Sequence, residues 1–322
     1  MKYAYLLLAV FFFSACEAPE MPLPGITGKA GELVVVMGDA LWNGPAGDTT
    51  FNVLSQHVYG LPQAEPTFNV VHVRSSAFTS IFRSHRNIVA VHIADSLRAN
   101  IQLKTDVWAT PQVVVEITAP TVDAYLDIFA ANASRILGHV LKKEEERVLK
   151  SYRAQEDADI IKPVETAYGV KLSIPKGYTI VRQEENFCWV RYETADVTQS
   201  ILIYKEPYTK DNTFSAAGMI AAMDTFSLKY VGGPDVGTYM STVTEYPPRM
   251  SETSLHSKYA SKLVGLWHIK GALMGGPFVS YVMLDASQKN VLHLHGFVFA
   301  PGKNKRNYLR QVDAIINSAE LR

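Results

Sequence analysis

Two histidines, His293 and His295, stand two residues apart in VLHLHGF. On a strand that spacing puts both rings on one face, and two imidazoles so placed can share a metal ion. No Asp, Glu or Cys lies adjacent to complete a ligand set, and the face continues with Phe297 and Phe299. The expectation is a pair of hydrogen-bonded histidines beneath a covering element, with no metal site. His72 and His92 fall on separate strand patterns and would have to meet across a sheet; structural roles are expected for both. Asp39 and Arg86, each near a strand end, are the charged candidates for a site, because α/β sheets bind ligands at the C-terminal ends of their strands. A structural ion pair is the competing reading. Trp42, in a Gly/Asn/Asp loop, is the aromatic candidate for surface display, set against a role in plugging that loop. Cys188 in FCWV has the chemistry of a nucleophile and the setting of a buried apolar residue on a strand.

Other catalytic patterns are missing. The glycines at 25, 28 and 31, at 44 and 47, at 232 and 233, and at 275 and 276 form neither GxGxxG between a strand and a helix nor GxxxxGK[ST]. Gly275-Gly276-Pro277 is expected to make a turn with positive φ before the strand at Phe278. GxSxG, HExxH and SxxK with its partners are not found where chemistry would need them. No catalytic residue and no cofactor is expected from the sequence.

The elements that must carry these residues follow from composition and periodicity. With 322 residues, 48% of them hydrophobic and 19% charged, the chain can build real cores and is neither disordered nor of low complexity. Its length favours two domains over one, since single cores stop growing near about 250–300 residues. Lys and Arg number 31 and so do Asp and Glu, which removes the basic footprint of a nucleic-acid binder.

Residues 1–15 have the layout of a signal peptide: a charged start at Lys2, an apolar run from Ala4 to Phe13, then Ser14 and Ala15. The run is too short to span a hydrocarbon core of about 30 Å. Cys16 follows directly, and this arrangement resembles the bacterial lipobox, in which the cysteine becomes the first mature residue and is acylated. Residues 16–31, rich in Pro and Gly, read as a tether. With Cys16 acylated, Cys188 is left without an intramolecular disulfide partner.

From residue 32 to 160 the pattern is that of an α/β domain. ELVVVM at 32–37 reads as a buried strand, a helix is expected over 49–58, and strands over 67–73, 87–94 and 107–117. A single long helix is predicted from Thr121 to Gln155, about 50 Å at 1.5 Å per residue and so long enough to reach past one domain. KKEEER at 142–147 is expected to be a solvated helix face. AQEDADIIKPVE is taken as the domain boundary. Residues 168–322 then read as an α+β domain: strands around the Pro-Lys-Gly turn at 175–177, further strands in NFCWVRYE and QSILIYKEPY, and a helix over 213–230. Three long strands at 258–270, 277–285 and 291–300 form an antiparallel meander, closed by a helix over 305–318. The fold class is thus α/β plus α+β, two layered domains with mixed and antiparallel sheets and a long helix between them.

The segments GELVVVMGDALWNGPAGD, FRSHRNIVAVHI, IPKGYTIVRQEENFCWVRYET, GLWHIKGALMGGPFVSYV and HGFVFAPGKNKRNYLRQVDAII resemble an uncharacterised family of Bacteroidetes envelope lipoproteins, the domain of unknown function 4837 family. MGGPFVSY and FVFAPGKNKRNYLRQ are its most specific pieces. The resemblance implies a location and an architecture but no activity. The IPKGY start, meander and closing helix of the second half also resemble the PsbP-like fold, and fold alone does not give function.

These readings lead to a set of expectations. The protein is expected to be a lipid-anchored lipoprotein of the cell envelope, held in membrane lipid, that of the outer membrane, through acylated Cys16, and to act as a non-catalytic binding or assembly module. Its partner would be an envelope protein or glycan, and not nucleic acid. The alternative is an enzyme acting on an envelope glycan or peptide, which a concave site uniting Asp39, Arg86 and a histidine would favour.

Overall fold

The structure, a computed structural model, describes residues 22–209 and 212–322. Cys16 lies outside the described residues. The first half opens with β1 (Glu32–Val36), α1 (Asp39–Trp42), α2 (Pro45–Leu54), β2 (Asn69–Val73) and α3 (Ser80–Arg83). It continues with β3 (Asn87–Ile93), β4 (Asn100–Thr105), β5 (Val113–Ala119) and the long α4 (Val122–Arg153). Its sheet runs β2-β1-β3-β5-β4, parallel except for β4, which lies antiparallel on β5 at the edge. Because both faces are covered, β1 has no polar alternation. Leu33 and Val35 face a core shared with α2 and α4, and Val34 and Val36 face a second cluster with Phe78, Phe82 and Trp108.

The helix expected over 49–58 begins at Pro45 instead, with Pro45 at its first turn, where the missing N–H costs nothing. The strand placed at 107–117 is shifted to Val113–Ala119. Strand β4 was not foreseen, because NIQLKT alternates modestly and half of its residues are exposed.

α4 is capped by Thr121, whose hydroxyl accepts from the backbone N–H of Ala124 at 3.2 Å. Its N-terminal turns bury Tyr125, Phe129, Ile136 and Val140 in the first core, and Tyr152 near its end packs against the second. One helix therefore belongs to both cores, as its length implies.

The second half comprises α5 (Ala158–Tyr168), β6 (Val170–Lys171), β7 (Tyr178–Glu184), β8 (Phe187–Glu193), β9 (Thr198–Pro207), α6 (Ala216–Tyr230) and β10 (Tyr239–Thr242). β11 (Arg249–Leu255), β12 (Lys258–Lys270), β13 (Gly275–Leu284), β14 (Asn290–Phe299), α7 (Arg306–Asn317) and β15 (Glu320–Leu321) complete it. A large antiparallel sheet runs β10-β12-β13-β14-β9-β8-β7, with β11 on β12. α5 and α7 cover one face over Val190, Ile201, Ile203, Leu292 and Leu294, and α6 covers the other over Phe187, Leu202, Tyr204 and Phe278.

Two readings of this half need correction. The stretch taken as a boundary contains α5, which buries Ile161, Val164 and Tyr168 in the second core and ends on left-handed Gly169 at φ 67°. Gly275 and Gly276 do not form a positive-φ turn. They lie within β13, where a Cβ on Gly276 would collide with the carbonyl oxygen of Val298.

Candidate functional site

The candidate site is built on a charge run. Glu144, in the KKEEER segment expected to be solvated, is only 5% exposed. Its carboxylate accepts from Gly31 N at 3.0 Å, Arg86 Nε at 2.8 Å and Asn87 Nδ2 at 2.9 Å, and it pairs with Arg147 one turn along α4. Burial by itself would raise the Glu144 pKa, but Arg86, Asn87 and Arg147 outweigh it and hold the carboxyl below its usual range. Arg147 in turn donates to the carbonyls of Arg86 and Pro111, each at 2.9 Å. Lys142 and Glu146 stay exposed as expected, while Glu144 and the Arg147 side chain are buried because α4 crosses the ends of the sheet strands at this point, a placement that no local periodicity encodes.

The halves are stitched together along α7. Glu65, 3% exposed, accepts from the backbone N–H groups of Lys305 at 2.6 Å and Arg306 at 3.0 Å, satisfying orphan donors at the start of α7. Arg306 donates to the carbonyl of Pro66 and Arg310 to that of Thr67 at 2.8 Å, while Asn317 donates to Glu145 at 3.1 Å. On the far side of the loop, the Tyr59 hydroxyl donates to the Pro247 carbonyl, and the Arg249 guanidinium lies 3.6 Å above the Tyr59 ring.

Between these stitches lies a cleft of about 970 Å³ walled by both halves. Its floor is apolar, with Leu141, Val148, Leu255, Val264, Val279 and Leu309. Its polar wall centres on Asp313, which accepts from Tyr281 OH at 2.7 Å and Lys262 Nζ at 2.9 Å. Burial and the neighbouring Asp313 push the Tyr281 hydroxyl well above its usual pKa. The same two causes raise that of Glu145. Burial, with Arg306 beside it, brings Arg310 down to about 10. The size and the mix of apolar floor and few fixed polar groups suit a small ligand or an inserted side chain.

The sequence candidates do not gather there. Asp39, at the start of α1, faces Arg74 at 3.8 Å with both side chains more than half exposed, whereas Arg86 is buried against Glu144. Trp42 is half-buried, stacked on His72 at 4.4 Å and edge-on to Phe51 at 6.4 Å, so it seals its loop against the first core. His72 and His92 do not meet: β2 and β3 flank β1 on opposite sides. The cleft residues Lys262, Tyr281 and Asp313 come from three elements and carried no sequence signal. Arg306 and Arg310 stand in the GKNKRNYLRQ string that carries the family resemblance.

The histidine pair also differs from expectation. His293 Nε2 lies 3.2 Å from Glu206, but neither ring nitrogen of His295 has a hydrogen-bond partner. Burial, with His293 adjacent, brings His295 down to about 3. Cys188 is buried on β8, and burial raises its thiol to about 12. Among the described residues no group of three or more His, Cys, Asp or Glu is placed to hold a metal ion, and no helix is long and apolar enough to cross a membrane.

Residues 26–153 match a family described as domain of unknown function DUF8532. No curated protein matches the chain. Among solved structures it is similar to a point mutant of protein Mog1, at 8% identity and a TM-score of 0.29, over 48% of this chain and 90% of that one. It is also similar to the human StarD13 (DLC2) lipid transfer and protein localization domain, at 14% identity and a TM-score of 0.23, over 44% of this chain and 89% of that one. Residues 157–318, half of the chain, match the domain of unknown function DUF4837, and the chain belongs to that family.

Proposed function

We propose that this protein is a cell-envelope lipoprotein, anchored through acylated Cys16, whose inter-half cleft is a non-catalytic binding site for an envelope protein or glycan. The observation that carries the binding reading is the cleft itself: about 970 Å³, with a wall from each half and an apolar floor. Its acidic centre is committed to structure, since both Asp313 oxygens already accept hydrogen bonds. A group so engaged fixes the shape of a site better than it accepts a substrate proton.

Glu145 favours the second reading. A carboxyl whose pKa is raised by burial and by its neighbour Asp313, in a cleft, has the setting of a general acid, and this supports an enzyme acting on an envelope glycan or peptide. One design separates the two. A photo-crosslinking residue in place of Lys142, exposed at the cleft, is introduced in intact cells, with the same residue at exposed Ile81 as control. A discrete adduct from position 142 and none from 81 is expected. Equal labelling from both positions overturns the binding reading, and turnover of envelope glycan or peptide fragments that is abolished in Glu145→Gln replaces it with the enzyme. The anchor is tested separately: Cys16→Ala should move the protein out of the membrane fraction, and unchanged retention removes the lipoprotein reading.

A further inference from the structure

Eleven buried side-chain nitrogen and oxygen atoms have no hydrogen-bond partner among the described residues, and eight of them lie in one layer. They are Trp189 Nε1, Ser200 Oγ, Tyr204 OH, Trp267 Nε1, His293 Nδ1 and both ring nitrogens of His295 on the large sheet, with Ser227 Oγ on α6 above it. Strand register puts the sheet residues on a common face. Phe297 stands opposite Ser200, His295 opposite Leu202 and His293 opposite Tyr204 across β14 and β9, and Trp189 stands opposite Leu202 across β8 and β9. Trp267 and Trp189 flank Phe297 at 5.2 and 6.4 Å, and Tyr204 stacks on His293 at 4.6 Å and on Phe226 of α6 at 4.3 Å. Buried polar atoms are nearly always paired, so eight exceptions in one layer mark a place where a partner belongs.

We propose that the layer between α6 and the large sheet is a second, closed binding site, distinct from the cleft, for a small uncharged molecule that packs among aromatic rings and hydrogen-bonds His295, Trp189, Trp267 and Ser200. The orphaned atoms cross several strands about 4.8 Å apart, a span that fits a molecule of several heavy atoms better than one water. Aromatic rings line the layer and none of its orphaned atoms carries a charge at neutral pH, which selects a neutral, flat ligand. Tyr204 and His295 have no exposed surface, so entry requires α6 to lift. The α6 residues turned toward the sheet include Met219 and Met223, unbranched side chains that repack readily.

The test uses the full chain carrying Cys16→Ala, which avoids detergent, titrated with N-phenyl-1-naphthylamine, an uncharged aromatic amine that fluoresces in apolar sites. Saturable 1:1 binding with energy transfer from tryptophan is expected. His295→Phe should weaken it at least tenfold and Ser227→Leu should do the same, while Asp313→Asn, in the cleft, leaves it unchanged. If His295→Phe does not fold by near-ultraviolet circular dichroism, Ser227→Leu decides. Absence of saturable binding means that the layer holds water only and overturns the proposal. Binding that ignores both changes, or that is lost in Asp313→Asn, overturns it as well.

Discussion

The carboxylate of Glu65, from the first half, caps α7 in the second, accepting from the backbone N–H of Arg306 at 3.0 Å and from that of its neighbour Lys305 at 2.6 Å. A negative charge at a helix N-terminus is favoured by the helix dipole as well as by the hydrogen bonds. Here the two partners come from different halves of the chain, so the cap also fixes how the cleft walls stand. Glu65→Ala should cost about 2 kcal/mol, the upper range for a cap, with Glu65→Gln losing less. Urea denaturation measures this, and a change below about 0.5 kcal/mol, the scale of ordinary surface substitutions, would show that the cap does not matter.

Glu144 is the counter-charge for two buried arginines. Removing one partner of a buried ion pair leaves the others desolvated and uncompensated, so Glu144→Ala should cost about 3–5 kcal/mol. The carboxyl is depressed in the folded state, so its contribution is fully present above the unfolded carboxylate pKa and is lost as pH falls through the folded value. The variant should therefore lose part of the acid sensitivity of the wild type below about pH 4.3, where an unperturbed Glu is half protonated. An acid limb of identical steepness in both proteins would contradict this.

His295 controls a different pH window. Its folded pKa, about 3, lies below the ordinary 6.5, so the unfolded chain takes up the proton first and stability falls as pH drops from 6.5 toward 3. At pH 5 the loss is about 2 kcal/mol, from 1.5 pH units at 1.36 kcal/mol each. Burial depresses His293 as well and contributes in the same direction. Replacing His295 with Leu should flatten the denaturation midpoint between pH 6.5 and 5, a range above most carboxylate titrations. A slope equal to that of the wild type would refute the assignment.

Cys188 should be inert in the folded protein. Its thiol is buried and raised to about 12, so thiolate is scarce at pH 8. In the Cys16→Ala chain it is the one remaining cysteine. A disulfide reagent such as DTNB should register no thiol until denaturant is added and one thiol thereafter. Rapid labelling of the native chain would place Cys188 at an accessible site.

Much of the architecture is legible in local periodicity. The near-continuous apolar run of β1, the face of α4 set by Tyr125, Phe129, Ile136 and Val140, and the long apolar-rich stretches of β12, β13 and β14 each depend on neighbours within a few residues. The weaker signals were lost where burial is partial: RMSETSL of β11 carries no apolar strand pattern, because only Thr253 and Leu255 in it turn away from solvent.

The amino-acid sequence alone determined the element types along most of the chain, the two-core layout, the helix that joins the cores and the family resemblance. Tertiary structure alone decided the chemistry. KKEEER has the same local pattern whether water or Arg86 faces it, and only the crossing of α4 over the strand ends buries Glu144. Lys262, Tyr281 and Asp313 become one network only because α7 packs on the large sheet, and His295 lacks a partner only because α6 closes over it. Hydrophobic periodicity is a property of adjacent residues. The dielectric and the partners around a polar group are set by whichever distant segment lies across from it.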